Sequence, residues 1–202
     1  MNKYKLTSNT KIVSDTTLYQ IKAIKSFGDV NVGDLGGYVE SERNLSHGGD
    51  CWVSDNADVY GNSRVYGNAK VYGNARVLGN AKVFGDARVF GNAWAYGNTR
   101  VSGDAKVHGN TRVYGNAKVY GNARVFGDAR VFGNAWAYGN AWAFGNAKVY
   151  GNSRVYGNAK VFGDARVYGN ARAYGNTRVS GNAKVYGNSR VYGNAKVYGN
   201  AR

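Results

Sequence analysis

Side chains that commonly catalyse reactions or bind metals are scarce in this sequence. Its 202 residues include two histidines, His47 and His108, and one cysteine, Cys51. Acid–base or nucleophilic catalysis would need a paired carboxylate or a second base, and the sequence has no HExxH, GxSxG or P-loop signature. Cys51 and His47 lack the further ligands of a zinc site. We therefore expect a non-enzymatic protein with no catalytic residue, no metal site and no cofactor.

Cations and aromatic rings recur in this chain with a fixed spacing. From Val53 to Arg202 the sequence consists of 25 consecutive hexapeptides without insertion or deletion. Position one is Val or Ala, position two is Tyr or Phe in 20 hexads, and position six is Lys or Arg in 21. Gly at position three, Asn or Asp at position four and a small residue at position five complete the unit. A period of six without helical spacing predicts a parallel β-solenoid, with one short strand and one turn per hexad.

The inward side of each hexad follows from parity. Positions six and two lie on either side of position one, so their side chains share a face of the strand. Burying 21 cations is energetically unacceptable, so the Val at position one must point inward, together with the small residue at position five. Gly and Asn suit the corner, because Gly tolerates positive φ freely. The predicted surface therefore carries columns of aromatic rings beside columns of cations.

These columns supply the candidate binding residues. Single-strand nucleic-acid binders that tolerate any sequence combine cations for phosphates with rings for base stacking, and the net charge of +15 favours a polyanionic partner. The alternative is that stacked rings stabilise the coil and the charge gives solubility. The candidate rings are Tyr114, Phe132, Tyr150, Tyr168 and Tyr186, and the candidate cations are Arg112, Arg130, Lys148, Arg166 and Lys184.

Three tryptophans replace the cation at position six and are candidate interface anchors. They are Trp94, Trp136 and Trp142, and each is followed by Ala where Val is usual. In a three-sided coil, the hexad count places them on three different faces. We therefore expect no single pocket that contains all three.

The hexad V-Y-G-N-A-R resembles the hexapeptide repeat of left-handed β-helices. In that family an aliphatic residue opens each hexad, and three hexads close an 18-residue triangular coil. The resemblance implies an all-β fold, a single-stranded left-handed parallel β-helix of about eight coils; a flattened 12-residue coil is the alternative. Many members of the family are acyltransferases that use a catalytic His and a loop interrupting the coils. This repeat has no interrupting loop, so acyl transfer is the less favoured function.

Residues 1–52 have a different composition and are predicted to form a small β N-terminal cap and entry coil before the solenoid of residues 53–202. KYKLT, TKIV and TLYQIKAIKSF are typical of strands, separated by Ser-Asn and Ser-Asp turn signals. A cap would protect the first coil, which otherwise offers an unpaired edge. The stretch LGGYVESERNLSHGGDCW resembles the entry module of bacterial and phage hexapeptide-repeat proteins.

Together these features predict a phage or prophage-type binding protein that engages nucleic acid, another polyanion or an acidic host protein, and so interferes with host or defence machinery. A self-assembling structural solenoid and a carbohydrate-binding module are the alternatives. The lone Cys51 and the lack of a signal peptide or membrane span predict a cytoplasmic location, in the host cell if the protein is phage-encoded. Because the repeat runs in register to Arg202, we also expect a homodimer through the C-terminal coil.

Overall fold

The computed structural model describes residues 2–201 as a parallel β-solenoid with three faces. Each short strand pairs with the strand 18 residues further along the chain; Arg112 aligns with Arg130, and Arg130 with Lys148. Three hexads therefore form one coil, as predicted, and the 12-residue alternative is excluded. The left hand of the coil stays a prediction from the family resemblance.

The three faces are named here in chain order, with the strands that build them in residues 2–201. Face 1 contains β3 Leu35–Val39, β5 Asp58–Val59, β8 Arg76–Val77, β11 Trp94–Ala95, β14 Arg112–Val113, β17 Arg130–Val131, β20 Lys148–Val149, β23 Arg166–Val167 and β26 Lys184–Val185. Face 2 contains β6 Arg64–Val65, β9 Lys82–Val83, β12 Arg100–Val101, β15 Lys118–Val119, β18 Trp136–Ala137, β21 Arg154–Val155, β24 Arg172–Ala173 and β27 Arg190–Val191. Face 3 contains β4 Trp52–Val53, β7 Lys70–Val71, β10 Arg88–Val89, β13 Lys106–Val107, β16 Arg124–Val125, β19 Trp142–Ala143, β22 Lys160–Val161, β25 Arg178–Val179 and β28 Lys196–Val197.

The core is a column of Val and Ala side chains, as parity along the strand predicts. Val113 at position one and Ala117 at position five are fully buried, whereas Arg112 is exposed and Tyr114 is half-buried. The corner between them needs glycine: Gly115 has φ +72°, and an added Cβ would lie 3.1 Å from the backbone nitrogen of Gly133. Tight stacking of corner on corner therefore favours Gly at position three. In the first hexad Asp55 takes the same conformation, with φ 55°.

The N-terminal segment forms an antiparallel hairpin that covers the first edge of face 1. Its strands are β1 Tyr4–Val13 and β2 Thr16–Ala23, and β2 pairs with β3. The Ser-Asp turn is confirmed by positive φ at Ser14 and Asp15. The Ser-Asn turn is wrong: residues 8–9 lie inside β1, where a register shift absorbs them without breaking the strand. Pairing with β2 along both halves of β1 overrides the local turn preference.

Residues 35–53 add one coil before the repeat, which gives about nine turns in total. β3 forms its first side, an isolated bridge between Leu45 and Val65 its second, and β4 its third. Phe27 and Tyr4 cover the ring of Trp52 where this first coil begins. Their ring centroids lie 5.4 and 6.3 Å from the ring centroid of Trp52. Helical structure in residues 2–201 is confined to a 3₁₀ turn at Glu42–Asn44, and no helix there is long and apolar enough to cross a membrane.

Candidate functional site

Face 1 brings the five candidate cations into one line, which we call the basic column: Arg112, Arg130, Lys148, Arg166 and Lys184. Successive members are register partners on neighbouring strands. The ion pairs found within residues 2–201 involve other groups, so no member has an acidic partner there. Neighbouring strands lie about 4.8 Å apart. At that separation two like charges repel by about 1 kcal/mol even in water, so a bound anion would relieve the repulsion within this column.

Two carboxylates stand close to the basic column without pairing to it. Asp128 and Asp164 line a groove of about 400 Å³ together with Arg130, Lys148 and Arg166. Both carboxylates lie at position four, in the corner through which the chain enters face 1. They lower the positive potential on one side of the column. The opposite corner, between faces 1 and 2, has Asn at every position four from Asn62 to Asn188.

The five candidate rings also lie in one line on face 1, which we call the aromatic column. Ring centroids are 4.8 Å apart from Tyr114 to Phe132 and from Phe132 to Tyr150, and the planes are parallel within 1°. Tyr168 and Tyr186 continue the stack at 5.0 and 5.4 Å. Each internal ring is therefore covered on both flat faces by its neighbours. The coil spacing thus lets the rings stack on each other, as in the alternative of a stacked ladder, and the internal rings have no open face for a base.

What the aromatic column offers to a ligand is ring edges and phenol hydroxyls. Tyr150 is half-buried, and burial together with the neighbouring Tyr168 raises the pKa of its hydroxyl. The phenol therefore stays protonated at neutral pH and remains a hydrogen-bond donor. Such donors can assist the cations in binding phosphate oxygens, but they carry no information about bases.

Each of the three tryptophans lies between two cations of its own face. The distances from cation to ring centroid are 5.1 and 5.7 Å for Arg76 and Arg112 at Trp94, 4.4 and 4.8 Å for Lys118 and Arg154 at Trp136, and 5.2 and 4.8 Å for Arg124 and Lys160 at Trp142. Cation–π attraction of about 0.5–1 kcal/mol per pair replaces like-charge repulsion there. The three indoles lie on three different faces, as predicted. Their role as anchors for a partner stays a prediction.

A ladder of amides along the corners was not predicted from the sequence. The side-chain Nδ2 of Asn98 donates to Oδ1 of Asn116 at 3.0 Å, and Asn116 donates in the same way to Asn134 at 3.0 Å. The signal was the recurrence of Asn at position four in 21 hexads, more than a turn conformation alone requires. These bonds lock neighbouring coils together at the surface. This ladder runs along the corner beside face 1.

The chemically reactive residues of the cap are engaged in structural contacts. The buried Lys3 Nζ donates to the carbonyl oxygens of Gly49 and Cys51 at 2.9 and 2.8 Å and lies 3.3 Å from Cys51 Sγ. Burial lowers the pKa of Lys3 and raises that of Cys51. The imidazole of His47 stacks on Tyr4 at 4.3 Å. In the part of the chain that the structure describes, no group of three His, Cys, Asp or Glu side chains is arranged to hold a metal ion.

The chain is similar in part to a known repeat. The model of the YdcK β-solenoid repeat matches residues 123–139 and 165–181. These stretches include Arg130 and Arg166 of the basic column and Phe132 and Tyr168 of the aromatic column. No match to the chain was found among curated protein sequences. The similarity supports a β-solenoid repeat protein with basic and aromatic columns on its surface.

Proposed function

We propose that this protein is a non-enzymatic binding protein that engages a linear polyanion, above all nucleic acid, along face 1. The observation that carries the proposal is the basic column, with five cations in consecutive coils and no acidic partner within residues 2–201. On faces 2 and 3, Trp136 and Trp142 interrupt the corresponding lines of cations. Face 1 therefore offers the longest unbroken run of positive charge.

The spacing of the column suits a nucleic-acid backbone. Five cations separated by about 4.8 Å cover roughly 19 Å along the solenoid axis. One strand of a DNA duplex carries a phosphate about every 3.4 Å along its axis, so a similar number of phosphates spans that length. The paired strands hold the backbone of this row in place, so binding needs the ordering of side chains but not of the main chain. Binding of this kind depends on charge and is independent of base sequence.

The covered ring faces favour one class of polyanion over another. Single-stranded nucleic acid gains affinity from base stacking when ring faces are open. Here Phe132 is stacked on both sides, so that gain is lost along the column. We therefore expect duplex DNA, which has the higher charge density, to bind at least as tightly as a single strand. A carbohydrate platform needs the same open faces, which makes it the weaker alternative.

A pair of double variants tests the proposal. Arg130→Gln with Lys148→Gln removes two charges from the basic column, whereas Lys5→Gln with Lys22→Gln removes two from the cap hairpin, where these residues are register partners. Fluorescence anisotropy with a labelled duplex of about 20 base pairs, from about 50 to about 200 mM salt, should show weaker binding for the first variant. The slope of log Kd against log salt should fall by about two. Equal losses in both variants, or wild-type binding that is insensitive to salt, would contradict the proposal.

Asp164 provides a variant of opposite sign. Because its carboxylate lines the groove beside Arg166, Asp164→Asn should strengthen nucleic-acid binding at low salt.

We extend the proposal to a phage or prophage origin on the resemblance of the entry module, with the cytoplasm of the infected cell as the place of action. An acidic host protein that competes with DNA for face 1 would replace nucleic acid as the partner. Neutral glycans binding in high salt would favour the carbohydrate alternative.

A further inference from the structure

The aromatic lines of the three faces begin differently. In the first coil, Glu40, Ser46 and Ser54 occupy the places that correspond to position two, because their backbone N–H groups donate to Val59, Val65 and Val71 one coil later. The first rings are therefore Tyr60, Tyr66 and Tyr72. On face 2, Tyr66 stacks on Phe84 with centroids 4.8 Å apart. Its other flat face points toward Ser46, which has no ring to cover it.

A cavity of about 530 Å³ lies at this uncovered ring. Its lining is Arg43, Ser46, Arg64, Val65, Tyr66 and Lys82. The volume falls in the range of small-molecule sites, about 300–1,000 Å³. Arg43 comes from the 3₁₀ turn, and Arg64 and Lys82 are register partners at position six of face 2. The cap and the repeat thus build the site together.

Three cations line this cavity. Within residues 2–201 none of Arg43, Arg64 and Lys82 forms an ion pair. Glu40 lines an adjoining cavity with Arg43 and Arg64, but its carboxylate accepts a hydrogen bond from the backbone of Gly61 at 2.6 Å. Glu42 lies 3.7 Å from His47. No acidic residue of the described chain lines the cavity. Its charge therefore calls for an anionic ligand.

The corresponding places on the other two faces differ. On face 3, Ser54 and Tyr72 line a cavity of about 510 Å³, but Asp29 and Asp34 line it too, and Asp29 pairs with Lys70. On face 1, the carboxylate of Glu40 occupies the place itself. Of the three faces, face 2 is therefore the one whose first tyrosine, within residues 2–201, has an open flat face beside unpaired cations.

We propose that this cavity binds a nucleotide, with the base stacked on Tyr66 and the phosphate held by Arg43, Arg64 and Lys82. A flat apolar face beside three cations fits a ligand with a planar ring and a negative charge. Stacking of one base on an aromatic side chain contributes about 1–3 kcal/mol. The ligand can be a free nucleotide or the terminal nucleotide of a strand. None of these residues belongs to the basic column, so nucleotide binding here does not depend on binding along face 1.

Filling the place of the missing ring provides the test. Ser46→Tyr would cover the open face of Tyr66, whereas Ser54→Tyr adds the same ring at the matched place on face 3. Calorimetric titration should show AMP binding to the wild type at least about tenfold more tightly than adenosine or inorganic phosphate, because each lacks one half of the interaction. Ser46→Tyr should weaken AMP binding by about tenfold or more, and Ser54→Tyr should leave it unchanged.

Further variants test the phosphate half of the site and the source of the nucleotide. Arg43→Gln with Arg64→Gln should weaken the binding of AMP and leave the binding of adenosine unchanged. This variant keeps the test valid if Ser46→Tyr fails to fold. Arg130→Gln with Lys148→Gln should bind AMP like the wild type. A 5′-phosphorylated oligothymidine that binds more tightly than thymidine monophosphate, and loses that advantage in Ser46→Tyr, would identify the strand end as the source. Absence of AMP binding at millimolar concentration, or equal binding by Ser46→Tyr, would overturn the inference.

Discussion

His108 stacks on Phe90 with ring centroids 4.7 Å apart and planes within 8° of parallel. Its other face lies against Phe126 at 5.2 Å. An imidazole thus takes the place of a phenol or benzene ring in the aromatic line of face 3. Burial, with Lys106 and Arg124 on the same face, lowers the pKa of His108 from its ordinary value. The ring is therefore neutral at pH 7 and packs between two phenylalanine rings.

This stacking predicts a pH-dependent stability that His108→Phe removes. Because the folded protein lowers the pKa of His108, the unfolded chain binds its proton more readily. The contribution of neutral His108 to the free energy of unfolding is therefore complete above the ordinary histidine pKa of about 6.5. It is lost as the pH falls from there through the lower pKa that His108 has in the folded protein. Urea unfolding at pH 7 and pH 5 should show a smaller acid loss for the Phe variant than for the wild type. Equal losses would show that protonated His108 remains stacked.

Asp86→Asn should strengthen the amide ladder at the corner between faces 2 and 3. Asn68 Nδ2 donates to Asp86 Oδ1 at 3.0 Å, but Asp86 has no donor to offer to Asp104, its neighbour 18 residues later. The variant gains a hydrogen bond and removes one of two neighbouring carboxylates. We expect these gains to exceed the lost attraction to Arg88 and Lys106, which line the same groove, and to stabilise the fold by about 1 kcal/mol. Asp164→Asn is the control, because it relieves no carboxylate pair. Thermal unfolding at low and high salt should show the larger gain for Asp86→Asn, shrinking as salt rises.

Thr111→Val should also raise the free energy of unfolding. Thr111 is fully buried at position five, and its hydroxyl has no hydrogen-bond partner in the structure of residues 2–201. Replacing the hydroxyl by a methyl group of similar size removes a desolvation penalty of about 1 kcal/mol or more. Ser153→Ala is the matched variant, because it also removes a buried hydroxyl at position five. It should lower the free energy of unfolding, because Ser153 donates to the carbonyl oxygen of Val167 at 3.1 Å. Denaturant titration of both variants checks the opposite signs.

Removing one whole coil should leave a folded protein. Deletion of Val113–Arg130 joins Arg112 to Val131 in frame, and each coil contacts mainly its two neighbours, so the melting temperature should fall without loss of cooperativity. Deletion of residues 115–117 shifts every later hexad by three residues and brings corner residues to the buried positions. Circular dichroism should show β structure in the first variant and severe loss in the second. Similar melting of the two would contradict the hexad frame.

The homodimer through the C-terminal coil stays a prediction, as does the functional role of the residues on face 1. By contrast, the hexad frame and the inward Val and Ala columns could be derived from the sequence, whereas the three faces were implied only by the resemblance to left-handed β-helices. Successive side chains of a strand point to opposite faces, so only one of Val113 and Arg112 can be buried. The cost of burying the charge of Arg112 shows that it is Val113. The division of the chain into a cap with entry coil, residues 1–52, and a solenoid, residues 53–202, also stays a prediction.

The sequence alone shows which side chains face outward, whereas the folded coil dictates what those side chains touch. Tyr114 and Phe132 are separated by 18 residues, and only the coil length brings their rings within 4.8 Å and closes their faces to a base. The same spacing places Trp136 between two cations. It also leaves one flat face of Tyr66 uncovered, because Ser46 occupies the matching place one coil earlier. Such contacts between coils depend on the pitch and on which residue occupies each place in the preceding coil. The alternation of residues within one strand contains no information about either.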